Sequence, residues 1–146
     1  MRELFMLHKY RVMDAMSKNV YKVRIDDDFA KVEDIMHSHK VHHVPVVDKA
    51  DEIVGLVSQR DLFRISKPRL TDEGYQYNPT ELNEFILKHV MTAAPYTAKY
   101  DTALSEVMTI MAQNKYGCVP VFDDANKLMG ILTQTDILKF IVKEFL

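Results

Sequence analysis

Two seven-residue stretches carry the groups best suited to chemistry: GLVSQRD at residues 55–61 and GILTQTD at residues 130–136. Each runs from a β-branched apolar segment into a hydroxyl, Ser58 or Thr133, with a carboxylate three residues on, Asp61 or Asp136. That spacing marks a strand handing over to a helix, with the hydroxyl as N-cap and the carboxylate in the first turn. Unpaired N–H groups and the positive end of the dipole make a helix start a holder of anions. A carboxylate there can also accept hydrogen bonds from two hydroxyls at once. The same Ser/Thr-x-x-Asp pattern serves equally as a capping box that needs no ligand. Asp is the discriminating member, because Glu or Gln would cap as well.

The elements that must position these groups repeat. Residues 16–64, shifted by 75, overlay residues 91–139 without a gap. Met16 meets Met91, Tyr21 meets Tyr96, Asp26 meets Asp101, and Val32, Ile35, Met36 and Lys40 meet Val107, Ile110, Met111 and Lys115. The densest matches are Val44-Pro45-Val46 with Val119-Pro120-Val121, Asp48 with Asp123, and Gly55, Gln59 and Asp61 with Gly130, Gln134 and Asp136. An ungapped self-match of this length is an internal duplication.

Within each copy, a β-forming run (residues 20–25 in the first) precedes an acidic cap and a helix over residues 29–40 with Phe29, Val32, Ile35 and Met36 on one face. Two short strands, HHVPVVD and IVGLVS, lead to the second helix. The order is β-α-β-β-α, an α/β (α+β) fold class, in units too small to bury enough surface alone; the two should pack about a pseudo-two-fold axis. Domain bounds of 10–66 and 89–142 follow, with a linker at 67–88. In the linker, PRLTDEGYQY is polar and turn-rich, and Asn78-Pro79 opens a helix with Leu82, Phe85 and Ile86 on one face. Residues 1–10 read as a short amphipathic helix.

The 146 residues hold 19 basic and 21 acidic side chains, a net charge of −2. Bulk attraction to nucleic acid or to an anionic membrane is therefore not indicated, and single-stranded nucleic acid is a weak third reading. Hydrophobic content of 47% and charge of 27% are those of a globular protein. Cys118 stands alone, so no internal disulfide forms. No apolar run approaches the roughly 18 residues of a membrane span, and the charged N-terminal stretch is no signal peptide, so a cytoplasmic location is expected.

Tandem PVxD…GhhS/TxxD elements (h, apolar), each preceded by a Met-led turn, resemble a pair of CBS domains, a Bateman module. The resemblance covers residues 10–142 and leaves no catalytic or DNA-binding domain over. It implies a stand-alone, non-enzymatic regulator that binds adenosine nucleotides (AMP, ADP or ATP), or alternatively S-adenosylmethionine, and associates as a homodimer. No cofactor is required. By the same resemblance Thr133 and Ser58 contact phosphate, and Asp136 and Asp61 hold the ribose hydroxyls. Each pocket is completed by the start of the opposite repeat: Asp136 with Ser17, Asn19, Val20 and Tyr21, and Asp61 with Thr92, Ala94, Pro95 and Tyr96. In nucleotide-sensing members, the positions three and two before the strand proline face phosphate; here they are His42 and His43, and in repeat 2 the uncharged Gly117 and Cys118. Arg60, beside Asp61, adds a cation that Thr135 replaces in repeat 2. The run His37, His39, His42 and His43 straddles a helix end, a turn and a strand, so a converging metal site is not expected. The rival reading from another class is a ligand-free association module whose motifs only cap helices.

Overall fold

The computed structural model describes residues 3–146. A 3-10 helix (Glu3–Lys9) and one turn, α1 (Val12–Ala15), lead to β1 (Val23–Arg24), α2 (Phe29–His39), β2 (His43–Val47), β3 (Ile53–Ser58) and α3 (Gln59–Ile65). Then come β4 (Arg69–Thr71), β5 (Gly74–Gln76), the single turns α4 (Pro79–Leu82) and α5 (Leu87–Val90), and β6 (Thr92–Ala93). The second copy follows as β7 (Ala98–Lys99), α6 (Leu104–Asn114), β8 (Cys118–Phe122), β9 (Leu128–Thr133) and α7 (Gln134–Phe145). The β-α-β-β-α order occurs twice, and equivalent elements start at the same offset of 75 residues.

The chain divides into two compact units that do not follow the linear repeats. One is continuous, Tyr21–Pro95; the other joins the N-terminal residues up to Val20 with Tyr96–Leu146. In the continuous unit the sheet order is β1-β2-β3-β6, with β1 parallel to β2 and the other pairs antiparallel. Its core gathers Phe29, Val32 and Met36 from α2 with Val44, Val46, Val57, Leu62, Leu82 and Met91. In the other unit the sheet order is β7-β8-β9, and Ser17 bridges Ile131 where the first copy has β6 on β3. Leu104, Val107 and Met111 of α6 pack there with Val12, Met16, Val119, Val121, Leu132 and Phe140.

Local chemistry explains the element ends. The Asp28 side chain accepts from Lys31 N at 3.0 Å to start α2, and Lys40 ends it in the left-handed region, as Lys115 ends α6. At α6 the capping task falls to backbone: Leu104 N donates to Tyr10 O at 2.9 Å. The β2–β3 and β8–β9 turns are each closed by one aspartate, Asp48 accepting from Ala50 N and Glu52 N, and Asp123 from Ala125 N and Lys127 N.

Four expectations change. The strand expected at residues 20–25 contracts to Val23–Arg24, because the Asp27 carboxylate takes the Arg24 N–H at 2.7 Å and turns the chain away. The polar linker contains a hairpin, β4 with β5, turned at Gly74 (φ 102) and closed by Thr71 Oγ1 donating to Gly74 O at 2.7 Å. Asn78 does cap a helix starting at Pro79, but α4 stops at Leu82; Leu82 is buried while Phe85 and Ile86 are exposed. The Asn83 side chain instead accepts from Ala30 N, at the start of α2. The helix expected at residues 1–10 is 3-10 over Glu3–Lys9, and residues 1 and 2 lie outside the described chain. Among the described residues no helix is long and apolar enough to cross a membrane.

Candidate functional site

The turn from β9 to α7 holds the better-developed site. Thr133 Oγ1 accepts from Asp136 N at 3.1 Å, and Asp136 Oδ2 accepts from Thr133 N and Thr133 Oγ1, both at 2.9 Å. The other carboxylate oxygen, Oδ1, accepts from Ser17 Oγ at 2.6 Å. Ser17 is brought there by backbone: its N donates to Ile131 O at 2.8 Å and its O accepts from Ile131 N at 3.0 Å. A half-exposed carboxylate, fixed at both oxygens and already accepting a hydroxyl, faces the groups of a helix start. Asn19 (exposed) and Val20 (half-buried) continue this segment in the same unit. Tyr21 belongs to the other unit, where its ring stacks on His39 at 3.7 Å.

The equivalent turn from β3 to α3 has the same capping box, Asp61 N to Ser58 Oγ at 3.3 Å and Ser58 N to Asp61 Oδ2 at 2.8 Å. Its chemistry differs. Asp61 is buried, and its Oδ1 accepts from Arg64 Nη1 at 3.4 Å, an intrahelical ion pair. Arg60 is exposed at the first turn. Thr92 and Ala93 pair with Leu56 and Gly55, and Ala94 N donates to Val54 O at 3.2 Å with φ at 46°. Thr92, Ala94 and Pro95 therefore run along β3 in the same unit as Asp61. Tyr96 belongs to the other unit, its ring nearly parallel to that of Tyr116 with centroids 5.9 Å apart. Burial, with Glu106 and Tyr116 nearby, raises the Tyr96 hydroxyl above its ordinary pKa.

His43 opens β2 opposite Ser58, and His42 is exposed just before it. Burial holds His43 below the ordinary histidine value, His42 and Arg60 push the same way, and Asp61 opposes them. His43 therefore offers a neutral imidazole beside Asp61, not a standing cation. Cys118 fills the corresponding place in repeat 2, opposite Thr133; burial, then the Asp136 charge, pushes its thiol up to about 12. It is an inert buried thiol. His39, by contrast, is taken up by its stack on Tyr21. Among the described residues no group of three or more His, Cys, Asp or Glu side chains could hold a metal ion.

Two pairs of residues matter to the site beyond those the motif marks. Gly130 is seated under Met16: a Cβ there would lie 2.7 Å from Met16 Sδ and 2.9 Å from Ser17 O. Gly55 is likewise seated under Met91. The missing Cβ is what lets the Met16-Ser17 segment lie on β9 and reach Asp136. The signal was present, since both glycines and both methionines recur at the offset of 75.

A family model described as CBS domain matches residues 12–67 and again residues 87–143. The chain belongs to the CBS domain family. As a CBS pair it resembles part of the inosine-5′-monophosphate dehydrogenase of Methanocaldococcus jannaschii, 30% identical over 126 residues. That match covers 86% of this chain but only 22% of the dehydrogenase. Among solved structures, a CBS domain pair in complex with 5′-methylthioadenosine and S-adenosyl-L-methionine superposes with a TM-score of 0.74 at 23% identity, covering 92% of this chain and 97% of its own. CBSX2 in complex with AMP gives 0.74 at 24% identity, with the same two coverages, 92% and 97%. The CBS domain of a bacterial CNNM/CorC family Mg2+ transporter in complex with ATP gives 0.78 at 18% identity, covering 99% and 95%. At these identities the structural likeness is one of fold.

Proposed function

We propose that this CBS pair is a non-catalytic regulatory module that binds an adenosine nucleotide of the AMP, ADP or ATP class at its Ser/Thr–Asp turns. The observation that carries the reading is Asp136, fixed through Oδ2 by Thr133 and accepting a hydroxyl, Ser17 Oγ, on Oδ1 at 2.6 Å. A ribose diol offers the same kind of donor to the same oxygens, and the α7 N-terminus offers N–H groups to phosphate. Structural relatives solved with AMP, with ATP and with S-adenosyl-L-methionine support the adenosine class. Thr133 and Asp136, with Ser17, Asn19 and Val20, form the primary site. The second site is Ser58, Arg60 and Asp61 with Thr92, Ala94 and Pro95, and its phosphate side is His42 and His43. Arg64 on Asp61 must yield before that carboxylate can take a diol, so the second site is the weaker.

Isothermal titration with AMP, ADP, ATP and S-adenosylmethionine tests the reading. Saturable heat that Asp136→Ala weakens about tenfold supports it. No heat and no thermal shift with any of the four at millimolar ligand sinks it.

A ligand-free association module is the second reading, favoured by the completeness of both capping boxes. A homodimer is compatible with either, and Leu138 and Val142, exposed one turn apart on α7, supply an apolar stripe for it. Light scattering behind a sizing column measures that state.

A further inference from the structure

A cleft within the Tyr21–Pro95 unit adjoins the Ser58–Asp61 turn, from which it takes His42 and Gln59, but most of its lining lies outside the capping motif. Its volume is 280 Å³. Its floor is apolar, with Met36 from α2, Val41, and Leu62 from α3. The far wall is the β4–β5 hairpin and Tyr77, held down by Phe63, whose ring lies 5.8 Å from that of Tyr75 and 6.3 Å from that of Tyr77. The hairpin comes from the segment between the repeats, so the cleft is no product of the duplication.

Three features restrict what could occupy it. Small-molecule sites run from roughly 300 to 1,000 Å³, so this one, at the lower edge, suits an occupant well below nucleotide size. Both signs of charge line it: Lys40 at the end of α2, Glu33 two turns earlier, and Glu73 at the hairpin tip, with the imidazoles of His37 and His42 beside them. A simple anion would meet the two carboxylates, and a simple cation would meet Lys40. Finally, the Tyr77 hydroxyl is shielded from solvent and has no hydrogen-bond partner among the described residues. Buried polar groups ordinarily have one, and an acceptor on an occupant would supply it.

We propose that this cleft binds a small zwitterion with an apolar body, of the free α-amino-acid class, at a place distinct from the Thr133–Asp136 turn. The carboxylate takes the Lys40 and Tyr77 side, the ammonium is shared by Glu33 and Glu73, and the side chain lies on Met36 and Leu62. Burial pushes the Tyr77 hydroxyl up to about 12, with Glu33 adding to it, so the group remains a donor at ordinary pH. Burial also raises the Glu33 carboxyl, with Asp34 adding and His37 opposing, as expected of partly dry surroundings in which a bound ammonium counts for more.

The test is calorimetry and NMR titration of the whole chain with L-leucine, L-methionine and L-phenylalanine at millimolar concentration. N-acetyl-L-leucine, lacking the cation, and L-leucinamide, lacking the anion, are the controls. The expected result is saturable binding of a free amino acid, with both controls about tenfold weaker. Tyr77→Phe and Glu73→Gln should each weaken binding several-fold while the protein remains folded, and Asp136→Ala should leave it unchanged. Absence of saturable binding by all three amino acids overturns the proposal. So does equal binding of the N-acetyl derivative, survival of binding in both cleft variants, or its loss in Asp136→Ala. The titrations are run without nucleotide, so their outcome does not depend on AMP binding.

Discussion

Substituting alanine at the two equivalent glycines should give unequal results. At Gly130 the new Cβ would sit 2.9 Å from Ser17 O, against about 3.4 Å for an ordinary contact, so the Ser17 backbone must retreat by about 0.5 Å. That oxygen accepts from Ile131 N at 3.0 Å, and the same retreat stretches the bond towards the geometric limit. Losing it costs about 0.5–1.5 kcal/mol, and overpacking adds about 1–3 kcal/mol. Restricting the unfolded chain returns about 0.4–1 kcal/mol. Gly130→Ala should therefore destabilise by about 0.5–4 kcal/mol, centred on about 2 kcal/mol, and pull Ser17 from Asp136, weakening AMP binding as well. At Gly55 the three nearest atoms all belong to the Met91 side chain, an unbranched thioether that can change rotamer. Gly55→Ala should cost under about 1 kcal/mol. Urea denaturation with linear extrapolation measures both. Equal costs, or a larger one at Gly55, would refute the idea that backbone at one site and flexible side chain at the other set the difference.

Other outcomes are expected. Asp136→Ala should lose about 1 kcal/mol of stability, because Thr133 still receives the backbone N–H of residue 136, while nucleotide affinity falls about tenfold; thermal unfolding and calorimetry separate the two effects. Tyr77→Phe removes a buried hydroxyl without a partner and should raise stability by about 1 kcal/mol, read as an increased urea midpoint. His43 has a folded pKa below its unfolded value of 6.5, so below that pH the unfolded chain binds the extra proton. Stability should fall as pH drops through about 6.5, and His43→Gln should flatten that part of the pH–stability curve.

Local chemistry made much of the site legible from residue types. Ser58 with Asp61, and Thr133 with Asp136, close their boxes over three residues, so spacing alone placed them. Asn78 and Pro79 likewise opened α4 where turn rules put it. Where α4 ends is another matter, because Asn83 is committed to Ala30 N, 53 residues away. The pairing of Tyr21 with His39 and of Arg64 with Asp61 also lay outside any motif. Periodicity reports which face is apolar, not which neighbour will use a side-chain amide or guanidinium. Residues 12–20 illustrate this most fully. Val12 N bonds Thr102 O and Met13 N bonds Tyr100 O, an assignment to the second copy's unit that no local pattern encodes.

That assignment has a consequence for the order in which the chain can fold. The Tyr21–Pro95 unit is one uninterrupted segment and has all its core residues once Met91 has been made. Val12 and Met16, although made earlier, meet their first partners when residues 98–111 arrive and the last of them only with Leu132 and Phe140. The segment from Val12 to Ser17 is thus an early-made piece that must wait with its apolar side unburied while a complete unit forms behind it. Closing so long a loop adds only slowly to the entropic cost, so the delay is chiefly one of synthesis. Ser17, the hydroxyl that meets Asp136, is therefore among the first site residues made and among the last to be seated.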